Sequence, residues 1–169
     1  VSVFPSGTQL REALFGLLVT GPSKTIPGAG LQTIFNVTGG RILLTSLLGL
    51  VSVTAIGGTA TTLSVGVTPT GGASAPTALC TATAITSSVV GTTFIVPPAQ
   101  GSALIVVGAS GVQAGGSATA FGAGQIANGG LCLVSAGVIT ITTSATTTGA
   151  VTWACTYMPY DAATAVTAA

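Results

Sequence analysis

Apolar and polar residues alternate along much of this chain. Leu63, Val65 and Val67 fall on one side of a two-residue repeat, and Thr62, Ser64 and Gly66 fall on the other. Residues 138–143 (VITITT) alternate through Ile139, Thr140, Ile141 and Thr142. After a turn at 146–149, Val151, Trp153, Cys155 and Tyr157 share one face against Thr152, Ala154 and Thr156. A period of two marks strands with one buried face, so residues 138–157 are expected to form a hairpin whose apolar side lines a core. The stretch from Thr33 to Thr54 holds two apolar runs around Gly39-Gly40, with Ile34, Phe35 and Val37 leading in and residues 42–44 leading out. Glycine accepts positive φ at both turn positions, so this too reads as a hairpin. Residues 47–53 continue as strand, with Gly49 marking a bend or bulge. Shorter strands are expected at 79–85, at 92–96 before Pro97-Pro98, and at 103–107. Residues 108–130 are rich in Gly and Ala, with a turn at Asn128-Gly129. About eight or nine strands with turn signals every 8–12 residues, and almost no helix, predict an all-β, jelly-roll-like sandwich or barrel.

The first 32 residues read differently, as an N-terminal arm ahead of a β-barrel or jelly-roll domain over 33–169. Ser6 followed by Gln9 has the spacing of a capping box. Leu10, Leu14, Leu17 and Leu18 then recur at the spacing of one helical face, and Gly21-Pro22 stops it. A short helix on a Gly- and Pro-containing linker, with Gly28-Ala29-Gly30 at its end, can dock on its own barrel or on a neighbour.

Charge changes the picture more than any motif. The chain has three Lys or Arg, two Asp or Glu and no His, for a net charge of +1. Between Arg41 and Asp161 there is no charged residue at all. A folded monomer of this size exposes roughly 7,400 Å², and a well-solvated surface is roughly a quarter to a third charged residues. Thr and Ser take the outward positions instead; a hydroxyl can be buried against a partner without leaving an unpaired charge. Such a chain is expected to self-associate. Three cations cannot supply the counterion release that drives nucleic-acid binding. No apolar run reaches 18 residues, so no membrane helix is expected, and Val1 opens no signal-peptide pattern.

The same composition excludes most chemistry. Without His the commonest general base is missing. No GxSxG elbow, GxGxxG or P-loop pattern occurs, and the two carboxylates are separated as Glu12 and Asp161. Cys80, Cys132 and Cys155 lack the spacing and partners of a zinc site. They read as small buried hydrophobes, with a Cys132–Cys155 bridge as the alternative. No catalytic residue, cofactor, metal or small-molecule ligand is expected. Arg41, alone among the strands, reads either as a bridge to a partner's carboxylate or as an exposed turn residue. Tyr160, past Pro159, is an aromatic anchor of the kind enriched at interfaces.

Residues 35–49 (FNVTGGRILLTSLLG), and the ending from Val151-Thr152-Trp153 through Tyr157-Met158-Pro159-Tyr160-Asp161 to Ala163-Thr164-Ala165-Val166, resemble tailed-bacteriophage virion proteins encoded among head genes, in particular head decoration (cement) proteins. The resemblance covers residues 33–66 and 137–169. Leu50 stands where such proteins are expected to carry an acidic residue, so this chain is less charged still. The resemblance implies a small β-barrel, often a jelly roll, that forms homotrimers on the outer surface of the phage capsid and clamps neighbouring major capsid proteins. It also implies synthesis in the host cytoplasm and assembly into the virion, with no nucleic-acid, membrane or small-molecule partner. Candidate interface residues are Leu10, Arg11, Leu14 and Phe15 on the arm, together with Arg41, Tyr160 and Asp161. The competing reading is a minor tail or head-fibre domain of lectin-like type; a hydrolase is a distant third.

Overall fold

Alternation in the sequence becomes alternation in burial. The structure is a computed structural model that describes residues 6, 7, 9, 12, 16–26, 28–71, 76–97, 100–108 and 132–169. In chain order the described strands are β1 (Leu17–Thr25), β2 (Gly30–Thr38), β3 (Ile42–Val51), β4 (Thr62–Pro69), β5 (Thr77–Ala78) and β6 (Thr83–Ala84). They continue as β7 (Thr93–Ile95), β8 (Ile105–Val107), β9 (Cys132–Val134), β10 (Gly137–Thr143), β11 (Ala150–Pro159) and β12 (Ala165–Ala168). Two antiparallel sheets pack as a sandwich. The first runs β1-β11-β3-β7-β8, with β9 beside the start of β3; the second runs β12-β2-β10-β4-β5, with β6 beside β4. Val151, Trp153, Cys155 and Tyr157 point inward from β11, and Leu63, Val65 and Val67 point inward from β4, as their spacing predicts.

Both expected hairpins are sheet crossings. β2 and β3, joined through Gly39-Gly40, lie in opposite sheets, and so do β10 and β11. A tight turn is needed in either case, so local sequence cannot separate the two. The choice is made by partners distant in the chain: β3 pairs with β11 on one side and with β7 and β9 on the other. Taking β1, β2, β3, β4, β5, β7, β10 and β11 as strands one to eight, the sheets read one-eight-three-six and two-seven-four-five.

The helical reading of Leu17 and Leu18 gives way to strand. β1 pairs with β11, and its Leu17 and Val19 pack on the core while Leu18 is exposed. Pro22 is tolerated because β1 is an edge strand whose register breaks between Thr20 and Ser23. Gly30, Leu31 and Gln32, also expected in the arm, open β2. Upstream, the capping box forms: Ser6 N–H donates to Gln9 Oε1 (2.8 Å) and Gln9 N–H to Ser6 Oγ (3.3 Å). Gly7, Gln9 and Glu12 have helical backbone. The expected strand at 79–85 is instead two short pairings of β4, with β5 and β6. The turn at Asn128-Gly129 lies outside the described residues.

Gly49 marks neither a bend nor a bulge. The bulge in β3 comes earlier, where the pairing steps from Thr156–Ser46 to Tyr157–Leu44 and leaves Thr45 extra. Gly49 faces inward opposite Trp153, and a Cβ there would lie 2.9 Å from the indole ring. The missing side chain makes room for the chain's single tryptophan, which is 1% exposed. Gly49→Ala is therefore expected to lose about 1–3 kcal/mol by overpacking, read from urea unfolding followed by Trp153 fluorescence.

Candidate functional site

Three of the seven candidate interface residues meet at one corner of the sandwich. Crossing from β2 to β3 requires positive φ at Gly39 (77°) and Gly40 (146°). A Cβ on Gly39 would collide with the Ala163 carbonyl, and one on Gly40 would sit 2.7 Å from the Asp161 carboxylate. The turn thus delivers Arg41 against the chain that leaves β11. Arg41 N–H donates to Asp161 Oδ2 (2.8 Å), Nε–H to the same oxygen (3.1 Å) and Nη2–H to Oδ1 (3.0 Å). Tyr160 N–H donates to the Arg41 carbonyl (3.0 Å), and the guanidinium carbon lies 4.6 Å from the centre of the Tyr160 ring. The fork-on-fork geometry uses both carboxylate oxygens. Arg41 therefore bridges to a carboxylate of its own chain rather than waiting for a partner's. Leu10, Arg11, Leu14 and Phe15 lie outside the described residues.

The other described cation is also spent internally. Lys24 donates from Nζ to the Thr33 carbonyl (2.9 Å), tying the edge of the first sheet to β2 in the second. Near the other end of β11 the Tyr157 hydroxyl accepts from Val166 N–H at 3.3 Å. Lys24 is in register with the inward-facing Val151, while Arg41 and Asp161 lie outside the strands. So, among the described residues, no charged side chain occupies an outward position of either sheet.

The two outer faces differ. On the first sheet one cross-strand row reads Thr20–Ala154–Leu48–Ile95–Ile105. The next reads Ser23–Thr152–Leu50–Thr93, and a third reads Met158–Leu43–Leu133. Leu18, Leu48, Leu50 and Leu133 are 60%, 38%, 45% and 50% exposed, which is unusual for large aliphatic residues clustered on one face. On the second sheet the rows read Thr33–Thr140–Gly66, Leu31–Thr142–Ser64 and Thr167–Asn36–Val138–Thr68. That exterior is mostly hydroxyl and amide, although Thr140 and Gly66 in its first row are covered and Leu31 is 50% exposed. None of the four leucines is among the candidate interface residues, although Leu18 is noted on the arm and Leu50 in place of an expected acidic residue. The signal was present in β3, whose ILLTSLLGLV is aliphatic at both parities, the pattern of a strand buried on both sides.

Nothing described offers a reaction centre. No three of His, Cys, Asp and Glu come together among the described residues. Cys80, Cys132 and Cys155 are free thiols, so the expected alternative of a Cys132–Cys155 bridge is not formed. Burial pushes the Cys155 thiol up to about 12 and raises the other two, the opposite direction from the lowered value of a thiol nucleophile. A cavity of about 20 Å³ beside Leu44, Leu47, Val96 and Cys132 has room for one water. No protein-family model, curated protein or solved structure matches the chain.

The Arg41 side chain, then its backbone N–H, holds the Asp161 carboxyl below its ordinary value of 3.8. Folded protein thus binds that proton less readily than unfolded protein does. The resulting stability is present above the ordinary carboxylate range and lost as pH falls through the depressed value. Only two side-chain carboxylates exist to blur the effect. Thermal melts between pH 7 and pH 2 should show an acid-side loss in the wild type that is reduced in Asp161→Asn.

Proposed function

We propose that this chain is a structural virion protein, a capsid decoration (cement) protein that acts as a homotrimer on the outer surface of a phage head and clamps neighbouring major capsid proteins. The observation that carries the reading is the exterior: neither sheet presents a described charged side chain at an outward position, and the first sheet presents four exposed leucines against one, Leu31, on the second. A surface of this kind is matched to burial by other protein. The interleaved strand order supports a jelly-roll winding, and the resemblance of residues 33–66 and 137–169 to decoration proteins supports the placement on a capsid.

A cement subunit works without chemistry. It binds the assembled shell and not the free capsid subunits, so it stabilises the shell by mass action, by about 2.7 kcal/mol per site at a concentration 100 times its dissociation constant. Sandwich rigidity suits the task, since a clamp that deforms transmits little of its binding energy. The test is reconstitution. Purified chain added to mature heads that lack it should bind in saturable, stoichiometric amounts and raise the temperature at which the heads release their contents. Heads that bind none of it, and rupture at an unchanged temperature, would contradict the reading.

A further inference from the structure

We propose that the outer face of the β1-β11-β3 sheet, centred on Leu48 and Leu50, is the surface through which copies of this chain pack on one another. The inference does not rest on the virion reading, because the face would associate whatever shell the chain binds.

Size comes first. Three long strands spaced ~4.8 Å apart and about 33 Å long, with the short β7, β8 and β9 beside them, project to roughly 600 Å². Accessible area exceeds the projection because side chains stand proud of the sheet. That is close to the roughly 800 Å² each partner contributes to a stable interface of standard size.

Its chemistry then selects the occupant. Several hydroxyls on the face already pair with one another: Ser46 Oγ with Thr156 Oγ1 (2.6 Å), Thr45 Oγ1 donating to Thr156 Oγ1 (2.8 Å), and Ser23 Oγ with Ser52 Oγ (2.8 Å). Covering these with dry protein leaves each of them its partner. An ordinary protein surface would bring charges onto a face that has none among its described residues to answer them, at the cost of burying them unpaired. The same face of another copy brings none. A lipid surface is a poorer match, because the described cations beside the face are spent within the fold, Lys24 on the Thr33 carbonyl and Arg41 on the Asp161 carboxylate, and do not reach out to headgroups. Strand addition at the sheet edge is also disfavoured. β1 carries Pro22 and a register break, while β8 is three residues long and β12 only four. Packing by face is what remains.

Sedimentation velocity over a concentration series tests this on the full chain. Wild type should be oligomeric at micromolar concentration. Leu48→Glu and Leu50→Glu should each weaken association by about a hundredfold or more. Thr142→Glu, on the opposite exterior, should leave it unchanged. Both leucines are already partly exposed in a single copy, so folding should survive, with circular dichroism as the check. If a glutamate variant unfolds, Leu50→Ser replaces it, with about tenfold weakening expected. A monomeric wild type, leucine variants that associate like wild type, or equal dissociation by Thr142→Glu would each overturn the assignment. An oligomeric wild type that fails to bind phage heads would count against the virion role alone and leave this surface standing.

Discussion

Burial of one side of each strand against the opposite sheet holds this molecule together. Each fully buried aliphatic or aromatic side chain contributes about 1.5–3 kcal/mol, and the core runs from Phe35, Ile139 and Leu63 in one sheet to Ile42, Phe94 and Trp153 in the other. Trp153 fits only because Gly49 faces it without a side chain. Ionic contacts contribute little in comparison and are confined to the rim. There they fasten crossings: Arg41 and Asp161 where the chain passes between sheets, and Lys24 where β1 meets β2.

That division has a consequence for the outside. A chain with three cations and two carboxylates has few charges to distribute. Arg41, Asp161 and Lys24 are all engaged within the fold, so they solubilise the exterior poorly. The hydroxyl-bearing sheet is wetted by Thr, Ser and Asn, which tolerate either water or protein. Aliphatic residues on the other sheet tolerate protein better than water. The asymmetry gives the molecule a direction, one side suited to burial and the other to either environment. The clamp proposed above has use for such a difference.

Much of this was legible in the sequence, and what was not has a physical cause. Period-two spacing located β4, β10 and β11 and their inward residues, because alternation is a local property of one strand. Sheet membership was not legible. Gly39-Gly40 permits a hairpin and a crossing equally, and the Arg41–Asp161 contact that accompanies the crossing spans 120 residues. Arg41, Tyr160 and Asp161 were each singled out alone, without any sign that they touch. β1 was misread because Leu10, Leu14, Leu17 and Leu18 have helical spacing, while Leu17 and Val19 against Leu18 and Thr20 also have strand spacing. Pairing with β11 decides between them. The exposed leucines of β3 were hidden in a run that reads as core on both sides; the fold covers one side only.

The proposed packing of copies covers the leucine-bearing exterior when the chain is at work. Met158, the single methionine, lies on that exterior in register with Leu43. Its oxidation rate under hydroxyl-radical footprinting, compared between dilute and concentrated protein, reports the covering directly. Our account predicts marked protection of Met158 at high concentration that is lost on dilution. An oxidation rate independent of concentration, in protein shown to be associated, would contradict it.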